Sequence, residues 1–152
     1  MKKTMIFSVF PGVGSSYLAK HSSYFKLNIL DLDSSSFSWN PPGVRNPDFP
    51  NNYIEEIKNK LGNVDVILIS SHSVVRNALK DNGMMYHLVY PHIKAKDLYM
   101  YRYENRGNDD NFINILWLHW EEWIEEMQKD TYPFHHILPA GDFYLSDLFI
   151  KA

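Results

Sequence analysis

The chain alternates short apolar runs with segments in which apolar residues recur every three or four positions. The apolar runs predict five β-strands, at residues 4–10, 26–33, 64–70, 85–91 and 134–138. Helical patterns lie between them: from Ser15, at 51–61, from Ser73 to before the turn at 81–83, at 96–105, at 111–127, and briefly after Gly141. This alternation predicts an α/β fold, a three-layer sandwich with a mostly parallel five-stranded sheet, in a single domain spanning 1–152.

The stretch "IFSVFPGVGSSYLAK" leads from the first predicted strand through two glycines into a predicted helix. It follows the outline of a phosphate-binding loop, G-x-x-x-x-G-K-S/T. In such a loop the glycines let main-chain N–H groups surround a phosphate, and the next helix directs its first donors at the same anion. A Pro-Gly-x-Gly turn is also common in ordinary loops, but the strand–turn–helix context favours a phosphate site. Its residues would be Pro11, Gly12, Val13, Gly14, Ser15 and Ser16.

The loop lacks its lysine, because Ser15 stands at that position, and Val9 replaces the first glycine. Lys20 lies more than one helical turn away and is no substitute. One charge-assisted hydrogen bond contributes roughly 1.5–3 kcal/mol to binding, which several main-chain donors offset in part. Losing one transition-state donor costs about 10²–10³ in rate. We therefore expect anion binding to survive and phosphoryl transfer to suffer.

Candidate metal ligands follow the second predicted strand. Ser16 occupies the hydroxyl position that normally meets Mg²⁺ in a phosphate loop. The third strand ends in serines where many such enzymes have an aspartate, so carboxylate support would come from Asp31 or Asp33. We expect Ser16 and Asp33 to hold the metal and Asp31 to contact ligand. The alternative is that the two aspartates only form a turn and cap the following helix.

A long connection, residues 32–52, is rich in serine, proline and asparagine. Loops of this length in compact domains are usually lids or flexible segments. Its aromatic residues and Arg45 favour an ordered binding loop over a linker, so Trp39 and Arg45 are candidate ligand contacts. Ser71, His72 and Arg76, which follow the third strand, complete the candidate ligand-binding set.

Several segments in this order resemble a family of small phosphate-loop nucleoside and nucleotide kinases, adenylate-kinase-like proteins that are widespread in bacteriophages. They are "FPGVGSSYL", "DLDSSSF", "FPNNYIEEIK", "VDVILISSHSVVRNAL" and "YRYENRG". The resemblance implies a parallel core, a phosphate donor such as ATP at the glycine loop, and an acceptor beneath the long loop. It implies phosphate binding by Gly12, Gly14 and Ser16, and lid arginines at 102 and 106.

Arginine geometry suits phosphate recognition. Arg102 and Arg106 are four residues apart and would share a helix face, so they are candidate catalytic residues together with Asp33. A solvated helix face with Glu104 nearby is the equally weighted alternative. For Arg76, a structural role is slightly favoured over ligand binding.

The composition of the chain limits the classes of partner that it is expected to bind. The 152 residues carry a net charge of −3 with a pI near 6.1, which argues against general affinity for nucleic acid or anionic membrane. No cysteine is present, and no apolar run is long enough to span a membrane. We expect a soluble cytoplasmic protein that binds a small-molecule nucleotide, with its oligomeric state open.

Two conspicuous features have ordinary interpretations. The tryptophan-rich segment 111–127 has an apolar stripe typical of a core helix, formed by Phe112, Leu116, Trp120, Trp123 and Met127. Trp117 lies off this stripe, and contact with a partner or a nucleobase is the less favoured interpretation of it. Seven histidines include no helical H-x-x-x-H pair, and His135 and His136 would point to opposite faces of a strand, so a histidine metal site is not expected.

Three functions remain in competition. The first is a degenerate kinase that binds or sequesters a phosphorylated nucleotide, such as a signalling nucleotide in phage counter-defence, with impaired phosphoryl transfer. The second is an active ATP-dependent nucleoside or nucleotide kinase that recruits its cation from Arg102 or Arg106. The third, weaker one is a protein-interaction module that uses the aromatic helix.

Overall fold

The computed structural model describes residues 3–39 and 44–149. Its strands are β1 (Met5–Val9), β2 (Ile29–Asp31), β3 (Val66–Ser70), β4 (His87–Pro91) and β5 (Phe134–Leu138). They form one sheet in the order β2-β3-β1-β4-β5, and every neighbouring pair is parallel. The predicted α/β class and five-stranded sheet are confirmed, and the sheet is wholly rather than mostly parallel.

The helices are α1 (Ser15–Lys20), α2 (Ser35–Ser38), α3 (Asn51–Lys60), α4 (Ser73–Asp81), α5 (Lys96–Asn105) and α6 (Asp110–Lys129). Short 3-10 turns occupy Ser22–Phe25, Ile93–Ala95 and Leu145–Leu148. The turn at Ser22–Phe25 was not predicted, and the turn at Leu145–Leu148 stands where a short tail helix was expected. The strand predicted at 26–33 is shorter, because Lys26 adopts a left-handed conformation (φ 52°) and Asn28 bonds to Asp65 before regular pairing begins.

Right-handed crossovers determine which face each helix covers. Between β1 and β2 the chain moves from the centre of the sheet to one edge, so α1 lies on one face. Each later connection moves in the opposite direction along the sheet, so α3, α4, α5 and α6 lie on the other face. The aromatic contacts agree, since Phe7 packs against Phe149 on one face and Phe10 against Trp120 on the other, with ring centroids 5.3 and 5.4 Å apart. The loops after β1 and β3 therefore leave neighbouring strands toward opposite faces and open a crevice at the carboxyl edge of the sheet.

Helix α6 packs much as its apolar stripe predicts. Leu116, Trp120 and Met127 are buried, while Phe112 and Trp123 pack partly buried against the same core. Trp120 is fully buried and donates its indole N–H to the Ile93 carbonyl at 2.7 Å. Trp117 stays 46% exposed, with the Lys96 ammonium 3.7 Å from its ring centre. None of the helices in the described ranges is both long enough and apolar enough to cross a membrane.

Exchanging each of these tryptophans for alanine tests the orientation of α6. Trp120→Ala should lower the free energy of unfolding by about 3–5 kcal/mol, because it empties a core site and strands the Ile93 carbonyl. Trp117→Ala, at a half-exposed site on the same helix, should cost less than about 1 kcal/mol. Urea titration followed by circular dichroism measures both, and equal losses would contradict the assigned orientation.

Candidate functional site

A cavity of about 870 Å³ opens at the carboxyl edge of the sheet, where the topology predicts a crevice. Three strand-end segments border it: residues 9–17 after β1, 31–34 around the end of β2, and 69–72 around the end of β3. Helix α5 and the segment before the last 3-10 turn complete the wall, with Leu98, Tyr101, Arg102, Asn105, Arg106, Asp142 and Tyr144. The structure thus brings the predicted phosphate-loop residues other than Val13 to one cavity with Asp31, Asp33, Ser71 and His72.

At both loop glycines, a side chain is disfavoured by the backbone conformation and by close neighbouring atoms. Gly12 and Gly14 have φ values of 90° and 99°, which side chains rarely tolerate. A Cβ on Gly12 would lie 2.8 Å from a ring carbon of Tyr103, and one on Gly14 would lie 3.2 Å from Tyr144. The loop therefore packs directly against α5 and the C-terminal segment. Val13, at 1% exposure, anchors it to the core and faces away from the cavity.

Three consecutive carbonyls of the loop are bonded within the protein. The Tyr103 hydroxyl donates to the Pro11 carbonyl at 2.7 Å, and the Leu145 amide donates to the Val13 carbonyl at 2.7 Å. The Arg102 guanidinium, which also lines the cavity, donates to the Gly12 carbonyl at 3.1 Å. Burial raises the pKa of the Tyr103 phenol well above its usual value, so it remains a donor at physiological pH. The loop is thus fixed by three separate donors, two of which lie outside the cavity lining.

The amides of the same loop remain unbonded. Within residues 3–39 and 44–149, the N–H groups of Gly12, Gly14, Ser15 and Ser16 meet no acceptor. All four residues line the cavity. The last two belong to the first turn of α1, whose donors have no partner inside the helix. Four free donors beside one cavity form a site suited to an anion with several oxygens.

Arg102, which the resemblance places in a lid over the phosphates, is buried and bonded to the glycine loop and the C-terminal segment. It is 7% exposed, and besides the Gly12 carbonyl it donates to Asp142 and to the Phe143 carbonyl at 3.2 and 2.9 Å. The Tyr99 and Tyr144 rings flank its guanidinium carbon at 4.5 and 3.9 Å. This side chain is held in place at the cavity wall, so its contribution is to position the loop and to put positive charge beside it.

Arg106 remains exposed at the cavity wall. It follows the last residue of α5, and its guanidinium carbon lies 5.8 Å from the Tyr103 ring centre. Arg102 and Arg106 share a helix face as predicted, but only Arg106 is free to approach a bound ligand.

The two aspartates play separate parts. Asp33 accepts the Ser35 amide at 2.9 Å and so forms a turn that leads into the short helix α2, as the alternative interpretation of this residue has it. Asp31 instead accepts a long bond from the Ser16 hydroxyl at 3.4 Å. Partial burial raises the pKa of Asp31; the Ser16 bond opposes this shift and the Asp33 charge adds to it. The hydroxyl of the phosphate loop is therefore paired with Asp31, while the expected metal ligand Asp33 lies at the cavity wall with one oxygen in use.

This oxygen set fits magnesium. Mg²⁺ commonly takes one or two carboxylates and completes its shell with water and substrate phosphates. Asp31 and Ser16 offer such a partial site, with Asp33 alongside. In the described part of the chain no three His, Cys, Asp or Glu side chains group closely enough to hold a metal on their own. A metal here would therefore depend on the ligand's own oxygens.

Arg76 has the structural role that was the slightly favoured alternative for it. It is 3% exposed, and each guanidinium nitrogen makes one bond, to Glu126, to Asp130 at 3.0 Å and to the Ser71 carbonyl at 2.8 Å. These bonds hold the side chain in place, so Arg76 ties α4 to the end of α6 and fixes the loop after β3. That it also contacts ligand stays a prediction.

Ser71 and His72 lie at the cavity as expected. Partial burial lowers the pKa of His72, and the neighbouring guanidiniums of Arg45 and Arg76 add to this, so its imidazole is neutral near pH 7.

The described parts of the long connection, residues 32–39 and 44–52, contain regular structure, in line with the predicted ordered loop. They form helix α2 and an antiparallel bridge between Trp39 and Arg45, and the Arg45 guanidinium carbon lies 4.5 Å from the Trp39 ring centre. A second cavity of about 560 Å³ lies beneath it, lined in part by Trp39, Arg45 and Phe49. The two cavities share Pro11, Asp33, Ser71 and His72, so they meet at the strand ends.

Sequence reasoning missed the residues that hold the loop in place: Tyr99, Tyr103, Asp142, Tyr144 and Leu145. A signal for part of this set exists in "YMYRYENR", where Tyr99, Arg102, Tyr103 and Arg106 fall at the spacing of one helix face. That face packs on the glycine loop. In the C-terminal segment, the contacts of Phe143 and Leu145 involve main-chain groups and carry no sequence signature.

Comparison of the chain with models of known protein families and with curated proteins finds no match.

The tight packing behind the loop can be tested with two glycine exchanges. Gly12→Ala should destabilise the protein by about 2 kcal/mol or more, because it adds a steric clash with Tyr103 to the backbone strain. Gly83→Ala is the matched control: its φ of 66° is also positive, but nothing lies within 4 Å of the added carbon, so about 1 kcal/mol is expected. Thermal unfolding measures both, and a Gly12 exchange no worse than the control would contradict the contact.

Proposed function

We propose that this protein binds a phosphorylated nucleotide at the glycine loop and transfers phosphoryl groups poorly or not at all. The observation that carries the proposal is that four residues lining one cavity, Gly12, Gly14, Ser15 and Ser16, have main-chain N–H groups with no acceptor among the described residues. Donors fixed in advance bind an anion without the cost of ordering them on association.

The distribution of charge around the loop supports phosphate binding rather than phosphoryl transfer. Ser15 brings no charge to the loop, and Arg102 is held beside it by three acceptors and two rings. A cation in that position favours an anion in the cavity through its field, but it cannot follow charge as a phosphoryl group moves. Phosphoryl transfer depends on cations that contact the moving oxygens.

A nucleotide also fits the size of the space. Cavities of roughly 300–1,000 Å³ hold drug-sized ligands, and the first cavity falls in that range at about 870 Å³. The second cavity, which meets the first beside Asp33 and His72, has aromatic side chains suited to a base or to an acceptor molecule. The resemblance to phage kinases favours sequestration of a nucleotide, a signalling nucleotide among them, as the biological use.

A second candidate, an active nucleoside or nucleotide kinase, is favoured by one observation. Arg106 is exposed at the cavity wall and is not engaged as Arg102 is. It would have to close over the phosphates during the reaction. If so, Arg106→Ala should abolish product formation.

Ligand binding and the missing lysine can be tested together. We expect one or more nucleotides in a panel to raise the melting temperature of the protein by several degrees, without release of product in a coupled ATPase or kinase assay. Ser15→Lys should retain binding and gain turnover. Mass spectrometry of small molecules released on denaturation would identify a ligand that survives purification.

The outcomes separate the three functions. Ordinary enzyme rates in the unaltered protein would overturn the proposal and support the active kinase. No shift with any nucleotide, and no released ligand, would favour the interaction module. Equal activity with serine and lysine at position 15 would show that the lysine is not decisive.

The contribution of the carboxylates to metal-assisted binding gives a further prediction. Asp31→Asn should remove most of the magnesium dependence of nucleotide binding, because it replaces the carboxylate paired with Ser16. Asp33→Asn is the matched control, since its amide oxygen can still accept the Ser35 amide, and it should leave more of that dependence in place. Titration calorimetry with and without Mg²⁺ measures both, and the reverse order would assign the metal to Asp33.

The same experiment has an expected pH dependence. Because the pKa of Asp31 is raised, its carboxylate protonates at a higher pH than an ordinary aspartate does. The magnesium-dependent part of binding should therefore decline on mild acidification in the unaltered protein, and this decline should be absent from Asp31→Asn.

A further inference from the structure

Strand β5 lies at one edge of the sheet and leaves main-chain groups unpaired. The Phe134 amide donates to the Tyr86 carbonyl at 3.0 Å, and the Leu138 carbonyl accepts the His92 amide at 2.8 Å, so these two residues face β4. Alternate residues of a strand face the same neighbour. The N–H and C=O groups of His135 and Ile137 therefore point away from the sheet, and no strand lies beyond them in the described ranges.

This edge lacks the features that normally prevent strands from pairing. Natural edge strands are usually short, charged, bulged or covered. Strand β5 pairs with β4 over five consecutive residues without a bulge, and none of its side chains is Lys, Arg, Asp or Glu. Phe134 and Ile137 are 55% and 46% exposed. The opposite edge, β2, has only three residues and ends in Asp31.

We propose that β5 pairs antiparallel with β5 of a second copy of this chain, about a two-fold axis that passes beside His136. This register sets His135 of each copy opposite Ile137 of the other. Each such pair would exchange two N–H···O bonds, which uses all the outward-facing groups of both residues. The two copies of His136 meet at the axis as a pair without main-chain bonds, and the two sheets join into one of ten strands.

A second copy suits this edge better than an unrelated segment because the arrangement is self-complementary and closes. Two-fold pairing leaves no free β5 edge in the dimer, so growth stops at two. The side chains do not oppose it. His135 is held by the Tyr90 hydroxyl at 2.8 Å and by the Asp130 carbonyl at 2.5 Å, and the His136 ring bonds to His87 at 2.9 Å. Burial, with a smaller effect of His135, lowers the pKa of His136, so the two rings at the axis are uncharged near neutral pH.

The pairing does not involve the ligand site. Antiparallel strands place the carboxyl edges of the two sheets at opposite ends of the dimer, and each glycine-loop cavity is built from one chain alone. Dimer formation and ligand binding can therefore fail independently, and the two proposals are tested separately.

Light scattering after size-exclusion chromatography, over a hundredfold range of protein concentration, tests the dimer. The unaltered protein should pass from the mass of one chain to that of two. Ile137→Lys should remain monomeric, because it places a charge at the centre of the pairing edge. Leu118→Lys is the matched control: it replaces an equally large apolar side chain that is 73% exposed on α6, and it should dimerise normally. Circular dichroism establishes that each variant is folded.

Hydrogen exchange of the unaltered protein gives a second readout that needs no substitution. The amides of His135 and Ile137 should exchange slowly at high concentration and rapidly on dilution, while those of Phe134 and His136 stay protected at both. A monomer over the whole concentration range would overturn the proposal. So would a dimer that persists in Ile137→Lys, or one that is lost in Leu118→Lys.

Discussion

The candidate site depends on one constraint, which is that the carbonyls of the glycine loop are bonded within the protein. The C=O of one residue and the N–H of the next share a rigid peptide plane and point in opposite directions. Because Tyr103 fixes the Pro11 carbonyl and the Leu145 amide fixes the Val13 carbonyl, the amides of Gly12 and Gly14 must face the other way. The outward direction of these amides, on which the proposed anion site depends, is thus set by contacts made to the neighbouring carbonyls.

Two buried arginines serve this constraint in the same manner. Arg102 donates to the Gly12 carbonyl after β1, and Arg76 donates to the Ser71 carbonyl after β3. Each is almost fully buried, and carboxylates bond to both. Removing either would leave a strand-end carbonyl, that of Gly12 or Ser71, without its bond to a guanidinium. Both therefore position a strand-end loop.

The sequence predicted the elements with strong periodic signals. Helix α5 and strand β5 begin and end where the pattern places them, and all five strands are present. Positions set by contacts between distant segments were not predictable. Arg76 was a candidate ligand contact, but two of its three acceptors, Glu126 and Asp130, lie 50 and 54 residues further along the chain, and only the fold brings them to it. Helix α2 was missed because its four residues are too few to show an apolar stripe, and it begins at a turn closed by Asp33.

The arrangement separates two tasks that a phosphate-loop lysine performs together. One is to supply a steady positive field for bound phosphate, and a fixed guanidinium beside the loop does this without motion. The other is to follow the charge that develops as a phosphoryl group leaves, which requires a flexible cation in contact with the moving oxygens. Arg102 is confined between the Tyr99 and Tyr144 rings, and both of its terminal nitrogens are bonded, so it meets the first requirement and fails the second. If the proposed function is right, phosphate capture does not need a lysine at position 15. Turnover would then require a more mobile cation, and Arg106 is the exposed arginine that lines the cavity.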